Sequence, residues 1–103
     1  MSFWIGVAKC SLRLTYAGSL KERRHVVRSI QDGVRNRFSL SCSDLGPADK
    51  WQDAELGFAG AGSSPSELEE RLRNLESFLA RKEADGEFEM VRFDWEVFAY
   101  GDL

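Results

Sequence analysis

Apolar and polar residues alternate over Phe3–Leu14, the two-residue period of a β-strand. Trp4, Gly6, Ala8, Cys10, Leu12 and Leu14 share one face. The face with Leu12 and Leu14 is the expected core side. Phe3, Ile5 and Val7 then form an apolar patch on the opposite face, beside Lys9, Ser11 and Arg13. Past the turn Tyr16-Ala17-Gly18 the period becomes helical, with Leu20, Val27, Ile30, Val34 and Phe38 on one side. Ser19 is the expected N-cap, and Glu22 three residues on predicts a reciprocal capping box. Arg23 also falls on the core side, where its alkyl stem is expected to pack.

Ser39–Leu45 reads as a short second strand with Leu40 and Cys42 on one face, and Gly46-Pro47-Ala48-Asp49 as a turn. Ala54–Ala61 is the third strand, with Ala54, Leu56 and Phe58 inward. Its Gly57, with Gly60 and Gly62, predicts a bulge or a close backbone approach. A second helix opens with Ser64 as cap, Pro65 in the first turn and Glu67 closing another box. Leu68, Leu72, Leu75 and Leu79 form its buried stripe, and Gly86 ends it. Glu87–Phe98 is the last strand, with Val91, Phe93, Trp95 and Val97 on one face. Met90, Arg92, Asp94 and Glu96 take the other, where Met90 would join the open apolar patch. Ala99–Leu103 reads as a loose tail.

The order β-α-β-β-α-β describes two split β-α-β units. Right-handed crossovers place both helices on one side of a four-stranded antiparallel sheet, a ferredoxin-like α+β sandwich. The 103 residues suffice for one core, so one domain over residues 1–103 is expected.

Charge adds an asymmetry. The net charge is −3, yet Ser19–Phe38 carries Lys21, Arg23, Arg24, Arg28, Arg35 and Arg37 against Glu22 and Asp32. Ser64–Leu103 carries five basic residues against eleven acidic. At about 100° per residue, Lys21, Arg24, Arg28 and Arg35 fall within a sector of about 60° beside the apolar stripe. Cations so arranged match successive backbone phosphates; the alternative is a solvated face. The sheet has no base-stacking platform, because Phe58 shares the inward parity of Leu56 and leaves Glu55, Gly57 and Ala59 outward.

Other chemistry is thin. Cys10 and Cys42 form no C-x-x-C pair, and with the one histidine, His25, they make no zinc set. Two reduced thiols are expected, a disulfide requiring their strands to be neighbours. No G-x-S-x-G elbow is present, and Gly60-Ala61-Gly62-Ser63-Ser64 lacks the lysine of a phosphate loop. A non-enzymatic protein without metal or cofactor is expected. The apolar run at the N-terminus ends at Lys9 and has no basic leader, so a cytoplasmic protein without membrane contact is expected. Trp51 is read either as an aromatic lid over the core or as an interface anchor.

Ser19-Leu20-Lys21-Glu22-Arg23-Arg24 resembles the S-L-K-x-K-R helix start of the YlxP-like bacterial family of unknown function (DUF503). Asp49-Lys50-Trp51-Gln52-Asp53-Ala54-Glu55-Leu56-Gly57 is similar to its second signature, D-x-W-Q-x-A-x-L-G. Ile5-Gly6-Val7 and the alternating Leu12 and Leu14 extend the likeness to nearly the whole chain, while the serines at 39, 41 and 43 and the longer C-terminus depart from it. The resemblance implies a ferredoxin-like fold. It also implies RNA or ribosomal partners, since the family's genes often neighbour those of ribosome maturation and translation initiation. The leading expectation is an RNA- or ribosome-associated accessory protein acting through Lys21, Arg24, Arg28 and Arg35. The alternative is a protein-interaction or homodimerisation module using Phe3, Ile5, Val7 and Trp51. A small-ligand regulatory domain is the third.

Overall fold

The computed structural model of the chain describes residues 2–101, and six elements account for most of them. They are β1 (Phe3–Arg13), α1 (Leu20–Phe38), β2 (Ser41–Gly46), β3 (Asp53–Gly62), α2 (Pro65–Glu83) and β4 (Glu89–Tyr100). The strands form one antiparallel sheet in the order β2-β3-β1-β4, the ferredoxin-like arrangement expected from the pattern. Both helices cover one sheet face. The core between the layers takes Cys10, Leu12 and Leu14 from the β1 segment and Leu56 and Phe58 from β3. Val27, Ile30 and Val34 of α1 meet Leu72, Leu75 and Leu79 of α2 there.

Both helices start where their caps demand. The Ser19 and Ser64 hydroxyls accept the Glu22 and Glu67 amide N–H groups at 3.1 and 3.3 Å. Each capping box closes only halfway. The Glu22 carboxylate takes the Gly18 N–H at 2.6 Å rather than that of Ser19, and Glu67 turns to Arg71. α1 ends with Ser39 in the left-handed region at φ 53°, so β2 begins at Ser41 rather than Ser39. The β3 glycines serve close approach, not a bulge. A Cβ at Gly60 would lie 2.6 Å from Leu40 Cδ2, and one at Gly62 would strike the Glu67 carboxylate.

Two expectations need correction. The parity of β4 fails at its start, because the β1–β4 register shifts between Ser11 and Leu12. Met90 therefore pairs with Leu12 and packs on the core, while Val91 is displaced outward and 62% exposed. Met90 is no part of the open patch. Next, β4 runs to Tyr100, so Ala99 and Tyr100 pair with Trp4 and Phe3 instead of forming a tail. The rest of that expected tail, beyond Gly101, lies outside the described residues. The expectation of two reduced thiols holds: β3 stands between the strands of Cys10 and Cys42, so the two cannot meet, and both are free.

Candidate nucleic-acid interface

The position of α1 on the sheet decides which way its cations look. Lys82 of α2 donates to the Ser29 hydroxyl at 3.1 Å, and Gly33 lies against Phe78, so that flank of α1 faces α2. Gln31 donates to the Cys42 carbonyl at 3.3 Å, so the opposite flank faces the edge strand β2. Arg24, Arg28 and Arg35 lie within about 40° of one another next to Gln31, turned away from acidic α2. All three are exposed. A rise of about 1.5 Å per residue spreads them over about 16 Å of helix.

Lys21 diverges from these three. It lines a cleft of about 480 Å³ with Tyr16, Glu22, His25 and Glu87, whereas Arg24 lines a groove of about 410 Å³ against Leu45, Pro47 and Ala48. The structure thus brings together three of the four predicted cations and sets the fourth at the head of the helix. Among the described residues, Lys21, Arg24 and Arg28 have no carboxylate within ion-pair distance. Arg35 has only an exposed contact of 3.7 Å with Asp32. Such a pair contributes well under about 1 kcal/mol and leaves the guanidinium available. Among the other arginines of the described residues, Arg13, Arg71 and Arg92 pair with Asp53, Glu67 and Asp94, Arg73 has an exposed contact of 3.6 Å with Glu69 like that of Arg35, and Arg37 and Arg81 have no ion pair.

Arg23 is the residue whose role the sequence understated. It is 3% exposed, and its guanidinium makes a two-pronged pair with Asp44 at 2.7 and 3.0 Å. Its Nε donates to the Asp53 carbonyl at 2.8 Å. This clip ties the first turn of α1 to the end of β2 and the start of β3, and so fixes the wall of the groove that Arg24 lines. The Asp44 carboxyl is held below its ordinary value chiefly by the hydrogen bonds from Arg23, then by the Gly46 N–H, against the upward pull of burial. An arginine at the signature's second lysine position, read from sequence as packing, is a buried electrostatic joint.

Trp51 does not join the other interface residues. It sits 45% exposed in the turn before β3, and Asp53 pairs with Arg13 at the far end of β1 from Phe3. It is no lid over the core. Phe3, Ile5 and Val7 do share the open sheet face, as expected, and Phe98 and Tyr100 extend their patch from β4. Sequence reasoning missed those two, although their parity with Asp94 and Glu96 marked the face.

The cysteines have no exposed thiolate to offer. Burial pushes the Cys10 and Cys42 thiols up to about 12. Both are expected to react with a disulfide reagent at pH 8 far more slowly in the native protein than in denaturant, Cys10 slowest; a native rate matching that of free thiol would contradict the assignment. Among the described residues, no three His, Cys, Asp or Glu side chains cluster closely enough to hold a metal ion. Likewise, no helix there is long and apolar enough to cross a membrane.

The fold and this flank define a ferredoxin-like α+β protein with one basic helix side and one uncovered sheet face. Residues 5–95 match the family described as Protein of unknown function (DUF503), and the chain belongs to that family. The "Uncharacterized protein YlxP" of Bacillus subtilis is 39% identical over 75 residues, spanning 73% of this chain and 82% of that protein. A NIPSNAP family protein from Agrobacterium tumefaciens, known by crystal structure, is 13% identical, with 90% of each chain covered and a TM-score of 0.36. That likeness is too loose to inform fold or function.

Proposed function

We propose that this is a non-enzymatic RNA-binding accessory protein that grips the phosphate backbone with Arg24, Arg28 and Arg35 of α1, helped by Lys21. One observation supports it above all: these cations stand exposed without a committed carboxylate, while most other arginines of the chain are paired. An uncompensated row of charge on a rigid helix gains most from a polyanion, through release of its counterions. The acidic α2 and β4 half repels the same polymer, so contact is confined to the β2 side of α1. Base-specific readout is not part of the reading, because β3 turns half-buried Glu55, Gly57 and Ala59 to the open face rather than stacking rings. The family resemblance implies RNA or ribosomal partners, which makes ribosomal RNA the first polymer to test.

Titration with ribosomal subunits and with structured RNA tests this at two salt concentrations. Four single-strand phosphate contacts predict a log–log salt slope of about −3. Replacing Lys21, Arg24, Arg28 and Arg35 by glutamine is expected to abolish binding and leave the melting temperature nearly unchanged, since none of the four is buried. Absence of any complex at about 50 mM salt overturns the proposal.

A further inference from the structure

Lys21 has surroundings of its own, and they differ from those of the other cations. Its cleft of about 480 Å³ falls in the range of about 300–1,000 Å³ that takes small molecules. Ala17 and Val26, both buried, give the cleft apolar surface, and two flat rings, Tyr16 and His25, share its lining. Tyr16 is 80% exposed, the highest value among the large hydrophobic side chains described. His25 is exposed as well. Neither ring is engaged in an aromatic pair within the described residues.

This cleft is not a seat for a phosphate. The amides at the head of α1 are already taken. Ser19 Oγ accepts the Glu22 N–H, the Ser19 carbonyl accepts the Arg23 N–H at 3.1 Å, and the Glu22 carboxylate accepts the Gly18 N–H. Glu87 adds a second carboxylate to the lining, with no cation within ion-pair distance among the described residues. A phosphate deep in the cleft would meet two carboxylates, whereas a flat neutral ring would meet aromatic faces and apolar surface. Lys21 supplies the one full positive charge of the lining. It stands just under a turn before Arg24, about 4.5 Å along the helix axis.

We infer that the cleft takes one unpaired base of the RNA strand held on α1, stacked on Tyr16 beside His25, with the phosphate of that nucleotide on Lys21. The inference rests on the RNA-binding reading and adds to it the kind of RNA bound. A backbone leaving the row at Arg24 meets Lys21 next, and the base there has the cleft to turn into. Every base has a π-face, so the stacking selects an unpaired nucleotide rather than a base identity. In a duplex the base is already stacked and paired, and extruding it costs free energy. The protein therefore favours loops and single-stranded ends over uniform duplex. A free mononucleotide lacks the grip of Arg24, Arg28 and Arg35 and brings its full phosphate charge towards Glu87, so it is the weaker occupant.

Fluorescence anisotropy tests this with a labelled RNA single strand of about ten nucleotides and a blunt RNA duplex of the same length, both at low salt. The single strand is expected to bind tighter by about tenfold or more. Tyr16→Ala is expected to weaken the single strand by about tenfold, to leave the duplex unchanged and to keep the melting temperature of the wild type, since the ring is 80% exposed. Tyr16→Phe keeps the stacking ring and should bind as the wild type does. Replacing Arg24, Arg28 and Arg35 by glutamine removes both RNAs alike. Equal affinity for strand and duplex, or a loss below about twofold in Tyr16→Ala, overturns the base in the cleft and leaves the phosphate grip standing. Displacement of the strand by micromolar adenosine monophosphate assigns the cleft to a free nucleotide and overturns the inference too. No complex with either RNA overturns the RNA-binding reading itself, and this inference with it.

Discussion

Truncating Phe78 to alanine is expected to destabilise the fold by about 3–5 kcal/mol, lowering the melting temperature by about 15 °C or more. The ring is 3% exposed and closes the seam between α1 and α2. Its tip lies where a Cβ on Gly33 would come within 2.6 Å, so the two helices touch through a residue with no side chain. Phe38 meets it edge-on at 5.4 Å, with the planes at 71°. Arg37 and Lys82 cap it from outside, 5.1 and 5.7 Å from the ring centre. Removing the ring leaves a cavity that two rigid helices cannot collapse to fill, which puts the cost at the upper end for a core truncation. Phe78→Leu keeps most of the volume and should lose far less. Denaturant unfolding reads both, and a loss below about 1 kcal/mol for the alanine variant would show that the seam is not packed as described.

Phe78 also shows where sequence reading stopped. Leu68, Leu72, Leu75 and Leu79 already fill a helical stripe, and all four are buried. Phe78 adds a flank whose burial depends on where α1 lies, which local periodicity does not encode. Val26 is buried on α1 for the same reason. Caps and both helices were legible because each rests on contacts within a few residues, and the topology because element order and right-handed crossovers leave few arrangements. The start of β4 was not, since one bulged residue there takes Met90 and Val91 off the parity that Phe93, Trp95 and Val97 keep, and nothing around Val91 announces it. At the candidate interface, the exposure of Lys21, Arg24, Arg28 and Arg35 followed from their angular sector. The separation of Lys21 from the other three depends on two different neighbours, the Glu87 region and the β2–β3 turn, and those were beyond the wheel. The partner of Arg23 lies 21 residues away in sequence and was equally hidden.

That partner carries the remaining large effect. Asp44→Ala is expected to cost about 3 kcal/mol, because it leaves a guanidinium that is 4% exposed without its counter-charge. Arg23→Leu should cost less. It leaves Asp44, whose side chain is 33% exposed and can return to water, and one unpaired Asp53 carbonyl. The order of the two variants distinguishes a buried-charge penalty from mere loss of a contact, in which case both losses would be equal. Protonation gives a second check. The native pKa of Asp44 is lowered from 3.8, so its contribution is complete above 3.8 and is lost as pH falls through the lower native value. The gap between wild type and Asp44→Ala should therefore be constant from pH 7 down to about pH 5 and close only in stronger acid. A gap that closed already near neutrality would assign the stabilisation to some other group. The same clip holds the β2–β3 turn against the first turn of α1, where Arg24 stands. Asp44→Ala should thus weaken RNA binding more than its distance from the polymer suggests, even at temperatures where the variant remains folded.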